Sequence, residues 1–335
     1  MVESPPPNSN HGPPLADRPP NRKIVPMAVV RWNWMTPPPQ AFQGGAITLG
    51  NFDGVHLGHR ALVQATRRWA DRLGGPAVAL TFDPPPGRLL APGSDRPPLL
   101  TLDDRVTLLH QAGADHVAIL NTEASLLSLS PEAFVEDLLI RGLRTRAVIE
   151  GFNFRFGRGR EGDTATLRRL CSAADIAFEE VPPCQVRGEP VSSSRIRAAL
   201  AAGDVTQASE LLGRAYAIAG PVVSGAKRGR TLGFPTANLD PVETFLPAEG
   251  VYAVRVTLPD GATVAGAANI GANPTFGEDA RKIEIHLLDY QGDLYGTRLS
   301  VAFVARIRAT VRFTSVADLR AQLDRDIAAT RDLVR

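Results

Sequence analysis

The feature that most constrains this chain is a change of rhythm along its length. From Ala46 to about Val181, short apolar runs alternate with amphipathic stretches. "AITLG", "AVALTF", "HVAIL", "RAVIEG" and "IAFEEV" have the β-branched and apolar content of strands. Between them, Leu57 to Leu73, "LDDRVTLLHQAG", "SPEAFVEDLLIRGL" and "DTATLRRLCSAAD" carry helical spacing. Ser130 followed by Pro131 predicts a capped helix ending at Gly142, and Asp163 predicts the cap of the next helix. Such alternation predicts an α/β domain: a doubly wound parallel sheet with helices on both faces. Ligands of these sheets bind beyond the carboxyl ends of the strands. Gly50 to His59, Phe82 to Pro86 and Gly151 to Gly157 therefore fall on one rim.

After "SSSRIRAALAAGDVTQASELLGR", which reads as two short helices, the pattern becomes serial strands. "YAIAGPVVSG", "GVYAVRVTL", "ATVAGAANIG", "RKIEIHLLD" and "RLSVAFVARIRA" are separated by Gly, Pro and Asp turns. This predicts an antiparallel barrel or sandwich. A closing helix over about Ser315 to Val334 has apolar spacing at Val316, Leu319, Leu323 and Ile327. The division is expected near residues 205–213, giving domains over 44–205 and 213–335. Residues 1–40 read as a disordered proline-rich tail, because "MVESPPPNSNHGPPLADRPPNRK" buries too little apolar area to offset its ordering entropy. "IVPMAVV" is too short for a signal peptide core. Met27 and Met35 are alternative starts that the sequence leaves open.

Charge and cysteine content remove several classes of function. The 335 residues carry a formal net charge of +2, which gives no bulk electrostatic case for nucleic acid or an anionic membrane. No apolar stretch approaches a membrane span. The two cysteines, Cys171 and Cys184, are too few for a disulfide scaffold and read as thiols of a reducing cytoplasm. Small-molecule partners are expected, with a weak homo-oligomer left open.

"GNFDGVHLGH", residues 50–59, sits where the first strand becomes a helix. Gly50 and Gly54 permit a tight turn and a close backbone approach. A helix starting near His56 presents unpaired N–H groups and its positive dipole end to the rim, which favours an anion such as phosphate. His56 and His59, three apart, share a helical face, and imidazoles titrating near neutrality can bond or protonate developing charge. Alone, H-x-x-H reads as a capping or packing pair. The glycines and Asp53 shift that reading to an anion seat. Zinc is weaker, since no third ligand is evident.

"EGFNFRFGRGREGD", residues 150–163, offers Asn153 as a hydrogen-bonding group and Phe154 and Phe156 as stacking surfaces. Its Arg155, Arg158 and Arg160 suit a polyphosphate or simply a solvated loop. "SSSRIR" places serines at a helix start with Arg197 one turn in, which suits either phosphate or an ordinary cap.

In this order, "TLGNFDGVHLGH", "GFNFRFG…EGD" and "SSSRIR" resemble the adenylyltransferase module of the bifunctional riboflavin kinase/FAD synthetase family of prokaryotic type. H-L-G-H is similar to the H-x-G-H signature of nucleotidyltransferases. The resemblance implies that His56 and His59 contact the ATP phosphates and stabilise the transition state as FMN attacks the α-phosphorus. It implies nucleotide and phosphate binding by Gly50, Asn51, Phe52, Asp53, Asn153, Ser193, Ser194 and Arg197. Two positions depart: Pro85 stands in "FDPPP" where the family usually has histidine, and Ser194 where it often has threonine.

"GAKRGRTLGFPTANL", residues 225–239, combines glycines and basic residues with Phe-Pro-Thr-Ala-Asn. A Gly/basic loop suits a polyanion. Thr236 and Asn238, two apart in an extended segment, point to one side and offer hard oxygen donors of the kind Mg²⁺ accepts. A β-turn region with a structural proline fits equally well. Glu284 and His286 share a face opposite Ile283, Ile285 and Leu287, lining a site or facing solvent. "GRTLGFPTANL", "GVYAV", "NIGANPTF", "IEIHLLD" and "GDLYG" resemble the riboflavin kinase module of the same family. The resemblance implies a six-stranded barrel with a terminal helix and Mg²⁺ at Thr236 and Asn238. ATP and flavin binding would fall to Gly225, Gly229, Arg230, Gly233, Pro235, Thr236 and Asn238. Glu284 would be the catalytic base on the ribityl 5′-hydroxyl. The whole would phosphorylate riboflavin to FMN and adenylylate FMN to FAD with release of pyrophosphate. The alternatives are a nucleotidyltransferase for another phosphate acceptor with a regulatory flavin-binding barrel, and a non-catalytic flavin-binding protein.

Overall fold

A computed structural model of the chain describes residues 27–90, 96–225, 233–273 and 278–335. The N-terminal part is a six-stranded, all-parallel sheet in the order β1-β4-β3-β2-β5-β6. Its strands are β1 (Ala28–Trp32), β2 (Ala46–Leu49), β3 (Ala77–Asp83), β4 (His116–Asn121), β5 (Ala147–Gly151) and β6 (Ala177–Val181). β2, β3, β4 and β5 are almost wholly buried, which is why they read as continuous apolar runs rather than alternating ones. Helix α1 (Leu57–Leu73) follows β2 and ends at Gly74 in the left-handed conformation (φ 65°). Then come α2 (Pro86–Leu90), α3 (Leu102–Ala112), α4 (Ala124–Leu127), α5 (Pro131–Phe134) and α6 (Thr164–Ala173), the last capped by Asp163. The strand order reverses between β2 and β5. That is the switch point at which doubly wound sheets bind ligands.

Two local expectations change. The tail does not extend to residue 40: Ala28–Trp32 is an edge strand paired in parallel with β4. Its sequence is too short to announce itself, but Trp32 is buried in the core and Arg31 bonds Asp83 at 2.8 Å. The helix from Ser130 to Gly142 is not uniform. Ser130 caps it as expected, but after Phe134 it widens into a π-helix over Val135–Gly142. A Cβ on Gly142 would lie 3.0 Å from the Trp32 ring, so this end of the helix is seated directly on the edge strand's tryptophan.

A two-stranded ribbon, β7 (Gln185–Val186) with β8 (Glu189–Pro190), precedes α7 (Ser193–Ala202) and α8 (Val205–Leu212). The C-terminal part is a closed antiparallel barrel, β10-β13-β12-β11-β14-β9. Its strands are β9 (Ala217–Val223), β10 (Ala237–Leu239), β11 (Gly250–Thr257), β12 (Thr263–Asn273), β13 (Glu278–Leu287) and β14 (Arg298–Arg308). Alternate residues such as Tyr252, Val254, Val256, Ile283, Ile285 and Phe303 fill the barrel. The core continues without a break into Ile196, Leu200, Leu211 and Leu212 of α7 and α8, and to Leu99 of the sheet domain. The two helices are thus packed as the barrel's lid and as the seam with the sheet domain.

Helix α9 (Val316–Leu333) packs on the barrel's outer wall. Its expected apolar stripe is only part of the contact. Val316 is exposed, while Asp326 and Thr330 are its buried residues. Asp326 receives Arg308 of β14 in a forked pair (2.7–3.1 Å) and Gln322 at 2.8 Å. A paired charge here fills a position that spacing alone assigns to an apolar side chain.

Candidate active sites

The turn after β2 is held in an unusual backbone conformation. Phe52 and Val55 have φ of 46° and 37°, and Gly54 has 89°. For the two side-chain-bearing residues this costs of order 1–3 kcal/mol each, so the surroundings must impose it. Asp53 is the centre of those surroundings. Its carboxylate accepts from Leu99 N at 2.8 Å and forms a short ion pair with Arg197 of α7. Its carbonyl accepts from Ser193 Oγ at 2.7 Å. Phe52 and Val55 are buried, Phe52 lying edge-on to His59 with centroids 5.3 Å apart.

His56 caps α1: its Nδ1 accepts from His59 N at 3.3 Å. The two imidazoles stack, with centroids 3.6 Å apart and planes at 16°. His59 is partly exposed at the rim, yet its Nδ1 is buried without a partner. Burial pushes the His56 pKa down to about 4, with Arg214 adding to the fall and Asp53 opposing it. Burial, then His56 and Arg105, push His59 well below the usual histidine value. Burial thus favours the neutral form of both rings, a donor–acceptor couple at a helix start rather than the near-neutral titrators expected from sequence.

Other predicted residues distribute around this turn. Gly50 N continues the sheet by donating to Leu80 O at 3.0 Å, and Asn51 is exposed with its carbonyl receiving Thr81 Oγ1 at 3.4 Å. Asn153 lies exposed just past β5, across the switch point. Ser192 rather than Ser193 caps α7, and Ser194 is exposed. No hydrogen bond among the described residues ties Asn153 or Ser194 to the histidine pair. Phe156 is buried and Phe154 is stacked on it, so the exposed aromatic of that loop is Phe152. Arg155 faces Asp163 at 3.5 Å and Arg158 faces Glu161 at 3.8 Å. Pro85 begins the turn into α2, its carbonyl accepting from Arg88 N at 2.9 Å.

Three groups near the turn escaped sequence reading. Arg105 is buried and donates to Thr81 Oγ1 (3.2 Å) and Phe82 O (3.3 Å). Burial lowers its pKa while Asp53 and Asp83 raise it. The available signal was its place in the buried stripe of α3 with Leu109 and Ala112, where a charge needs a reason. Glu150 ends an apolar strand, is 1% exposed, and accepts from Leu49 N at 2.6 Å. Burial raises its pKa well above the ordinary carboxyl range. Arg214 donates from Nη2 to Gly54 O at 2.7 Å and from Nη1 to Val55 O at 3.1 Å.

On the barrel, the predicted kinase residues meet by register. Asn238 of β10 pairs with Glu284 of β13, which also stands opposite Asn269 of β12. These three share the outer face, since Ile283, Ile285 and Leu287 point inward. A Cβ on Gly225 would collide with the Asn238 carboxamide, so a larger residue there would have to displace that side chain. His286 donates from Nδ1 to Pro235 O at 2.8 Å, and Phe234 packs edge-on against it. That contact anchors the Phe234–Thr236 segment beside the Glu284 row. Gly233 is in the left-handed region (φ 90°). Gly229 and Arg230 lie outside the described residues. Among the described residues, no group of three or more His, Cys, Asp or Glu forms a metal cluster.

The comparisons with known proteins follow the same division. The FAD synthetase family model matches residues 39–195 and the riboflavin kinase model residues 212–334. The bifunctional riboflavin kinase/FMN adenylyltransferase of Escherichia coli (strain K12) is 37% identical over 290 residues, covering 87% of this chain and 93% of that protein. This chain belongs to the bifunctional riboflavin kinase/FMN adenylyltransferase family. Relatives of the same name from Pseudomonas fluorescens (39% identical, covering 87% of this chain and 93% of that protein) and Bacillus subtilis (33%, covering 84% and 89%) agree. A crystal structure from Streptococcus pneumoniae, described as a macrolide-efflux protein, superposes with a TM-score of 0.82 at 30% identity, covering 90% of this chain and 98% of that one. No helix among the described residues is long and apolar enough to cross a membrane. The sheet domain is the FMN adenylyltransferase and the barrel the riboflavin kinase. The flavin enzyme reading thus prevails over another phosphate acceptor or a non-catalytic binding protein.

Proposed function

We propose the following division of labour among the residues of this flavin-forming enzyme. The observation that carries it is the stacked His56–His59 pair at the start of α1, beside the switch point. The pair binds the phosphates of ATP and donates to the charge that develops as an FMN phosphate oxygen attacks the α-phosphorus. That oxygen forms the new bond, the bond to the bridging oxygen breaks, and pyrophosphate leaves. Gly50, Asn51, Phe52 and Asp53 shape the seat, and Asn153, Ser193, Ser194 and Arg197 approach the nucleotide from the facing segments. Pro85 supplies no side-chain hydrogen bond, so the histidine pair acts without help from that position.

In the barrel, Glu284 accepts the proton of the ribityl 5′-hydroxyl as that oxygen attacks the γ-phosphorus of ATP. Asn238 stands opposite this carboxylate and Thr236 precedes Asn238 by two residues; a hydroxyl and a carboxamide oxygen make an all-oxygen donor set that would fit Mg²⁺ together with substrate phosphates. Bound there, Mg²⁺ neutralises polyphosphate charge and aligns the transfer. The enzyme works on riboflavin, FMN and ATP in the cytoplasm and without nucleic acid, a reading supported by two free thiols and a small net charge.

Chromatography of flavins made from riboflavin, ATP and Mg²⁺ tests the division. His59→Ala is expected to abolish FAD while FMN still accumulates, and equal FAD output would remove the histidine pair from its role. Glu284→Gln is expected to stop FMN formation yet convert supplied FMN to FAD. Unchanged riboflavin phosphorylation would remove Glu284.

A further inference from the structure

The turn that carries His56 is held from the barrel side. Arg214 follows Gly213, the left-handed end of α8 (φ 69°), and precedes β9. Among the described residues no carboxylate pairs with its guanidinium, Asp104 acting on it only at longer range. Instead it donates to the carbonyls of Gly54 and Val55, the two residues immediately before His56. Both carbonyls belong to buried residues in the left-handed region, where no regular secondary structure would satisfy them. The packing follows the same line. A Cβ on Gly54 would meet Leu99 and Leu212, and one on Gly213 would meet Leu57 and Arg60. The turn and the end of α8 are thus in close contact across the seam.

We propose that Arg214 is a positioning residue for adenylyl transfer, fixing the Gly54–Val55 peptides so that His56 and His59 begin α1 in their stacked arrangement, and thereby making the transferase site depend on the kinase side of the chain. This rests on the assignment of the histidine pair to the ATP phosphates. Arg214 touches no reacting atom; it acts through the backbone that orients one. A group held by fixed donors transfers charge without reorganising, so a loosened turn lowers turnover more than binding. Arg214 also lines a cavity of about 380 Å³ between α3 and strands β9 and β14, with Asp104, Tyr216 and Arg298 around it. A small cation therefore has a route to the guanidinium position.

The test uses the full chain carrying Arg214→Ala or Arg214→Lys, with FMN adenylylation and riboflavin phosphorylation assayed separately, with and without added guanidinium chloride. Arg214→Ala is expected to lower kcat for FAD formation by about tenfold or more, with KM for ATP changed by less than about threefold. Riboflavin phosphorylation should stay within about twofold, and guanidinium should restore part of the lost kcat. Arg214→Lys, with one donor group for two carbonyls, should fall between, and it decides alone if the alanine variant does not fold. Unaltered FAD kinetics would overturn the proposal. So would parallel loss of both activities with a lower melting temperature and no response to guanidinium, which is a merely structural outcome. His59→Ala, run alongside, separates the two readings. Intact FAD formation in it removes the histidine assignment and this proposal with it. Its loss, with Arg214 variants unaffected, removes only the role of Arg214.

Discussion

The two proposed sites of this enzyme are built on opposite principles. The transferase turn draws together segments far apart in sequence: residues 52–59, Leu99, Arg105, Glu150, Ser193, Arg197 and Arg214. Strained backbone is held there by buried ions and side-chain hydrogen bonds. The kinase row needs none of that. Asn238, Asn269 and Glu284 face one another because three antiparallel strands are in register, and the barrel core behind them is apolar. A function built on register loses chemistry when a side chain changes. A function built on interlocked charges loses shape as well.

Removing one carboxylate from each site should have unlike consequences. Asp53→Ala removes the acceptor of Leu99 N and leaves Arg197 without its carboxylate at a largely buried position. The loss is expected to be about 3 kcal/mol of stability, as for other buried pairs deprived of one partner. FAD formation should fall by two orders of magnitude or more, since the turn depends on the same contacts (roughly 10²-fold). Glu284→Gln should cost a comparable factor in riboflavin phosphorylation, roughly 10²–10⁴-fold, and almost nothing in stability. Thermal melts beside the two flavin assays read both. Equal destabilisation in the two variants would mean that the sites do not differ in the way described.

The same contrast explains what was legible in the sequence. In the barrel, period-two alternation gave Glu284 and His286 a shared face but left it open to site or solvent; the resemblance singled out Thr236, Asn238 and Glu284, and their neighbours came only with the register. The H-L-G-H turn could be found because glycines, aspartate and histidines crowd one strand–helix junction. Its bracing could not. Arg105, Glu150 and Arg214 sit 46 to 155 residues from His59 in sequence; the helical stripe of α3 marks Arg105 as inward-facing, but nothing local says which groups the three charged ends meet. Asp326 was hidden for the same reason: a buried charge is readable only with its partner, and Arg308 lies in another element. Edge strand β1 was lost to composition, since a proline-rich approach outweighed four apolar residues anchored by Trp32.

Acid acts on the histidine turn through burial. His56 is held neutral by burial, with its pKa lowered from 6.5 to about 4. The unfolded chain takes up that proton first, so the stability tied to neutral His56 is complete above pH 6.5 and is lost as pH falls toward 4. The difference over that window is about 3 kcal/mol from this residue. Urea unfolding at pH 7 and near pH 4 is expected to show a steeper loss for the native chain than for His56→Asn. Identical slopes for native and His56→Asn chains would place the burden of acid sensitivity elsewhere.

The smallest expected effect comes from Glu150, and it has the opposite sign. β2 and β5 pair only at Ala46–Ala147 and Ile47–Val148, after which the ladder opens. Leu49 N then finds the Glu150 carboxyl rather than a backbone carbonyl on β5, at 2.6 Å. The side chain thus closes the last rung of the sheet just where the switch-point crevice begins. Burial favours its neutral form and raises its pKa well above the ordinary value of 4.5. A raised carboxyl pKa contributes stability that is whole below pH 4.5 and fades as pH rises through the folded value. Glu150→Gln keeps an acceptor for Leu49 N and has no proton to lose. It is expected to match the native chain within about 1 kcal/mol near pH 4.5, the scale of a neutral hydrogen bond, and to become the more stable of the two as pH rises. Glu150→Val instead leaves Leu49 N unpaired at every pH, a loss of about 1–3 kcal/mol that acid does not relieve. Unfolding curves of the three proteins at pH 5 and pH 8.5 separate these roles. If the glutamine variant gained nothing at the higher pH, Glu150 would be ionised in the folded chain, and the crevice would have to be far better hydrated than its burial implies.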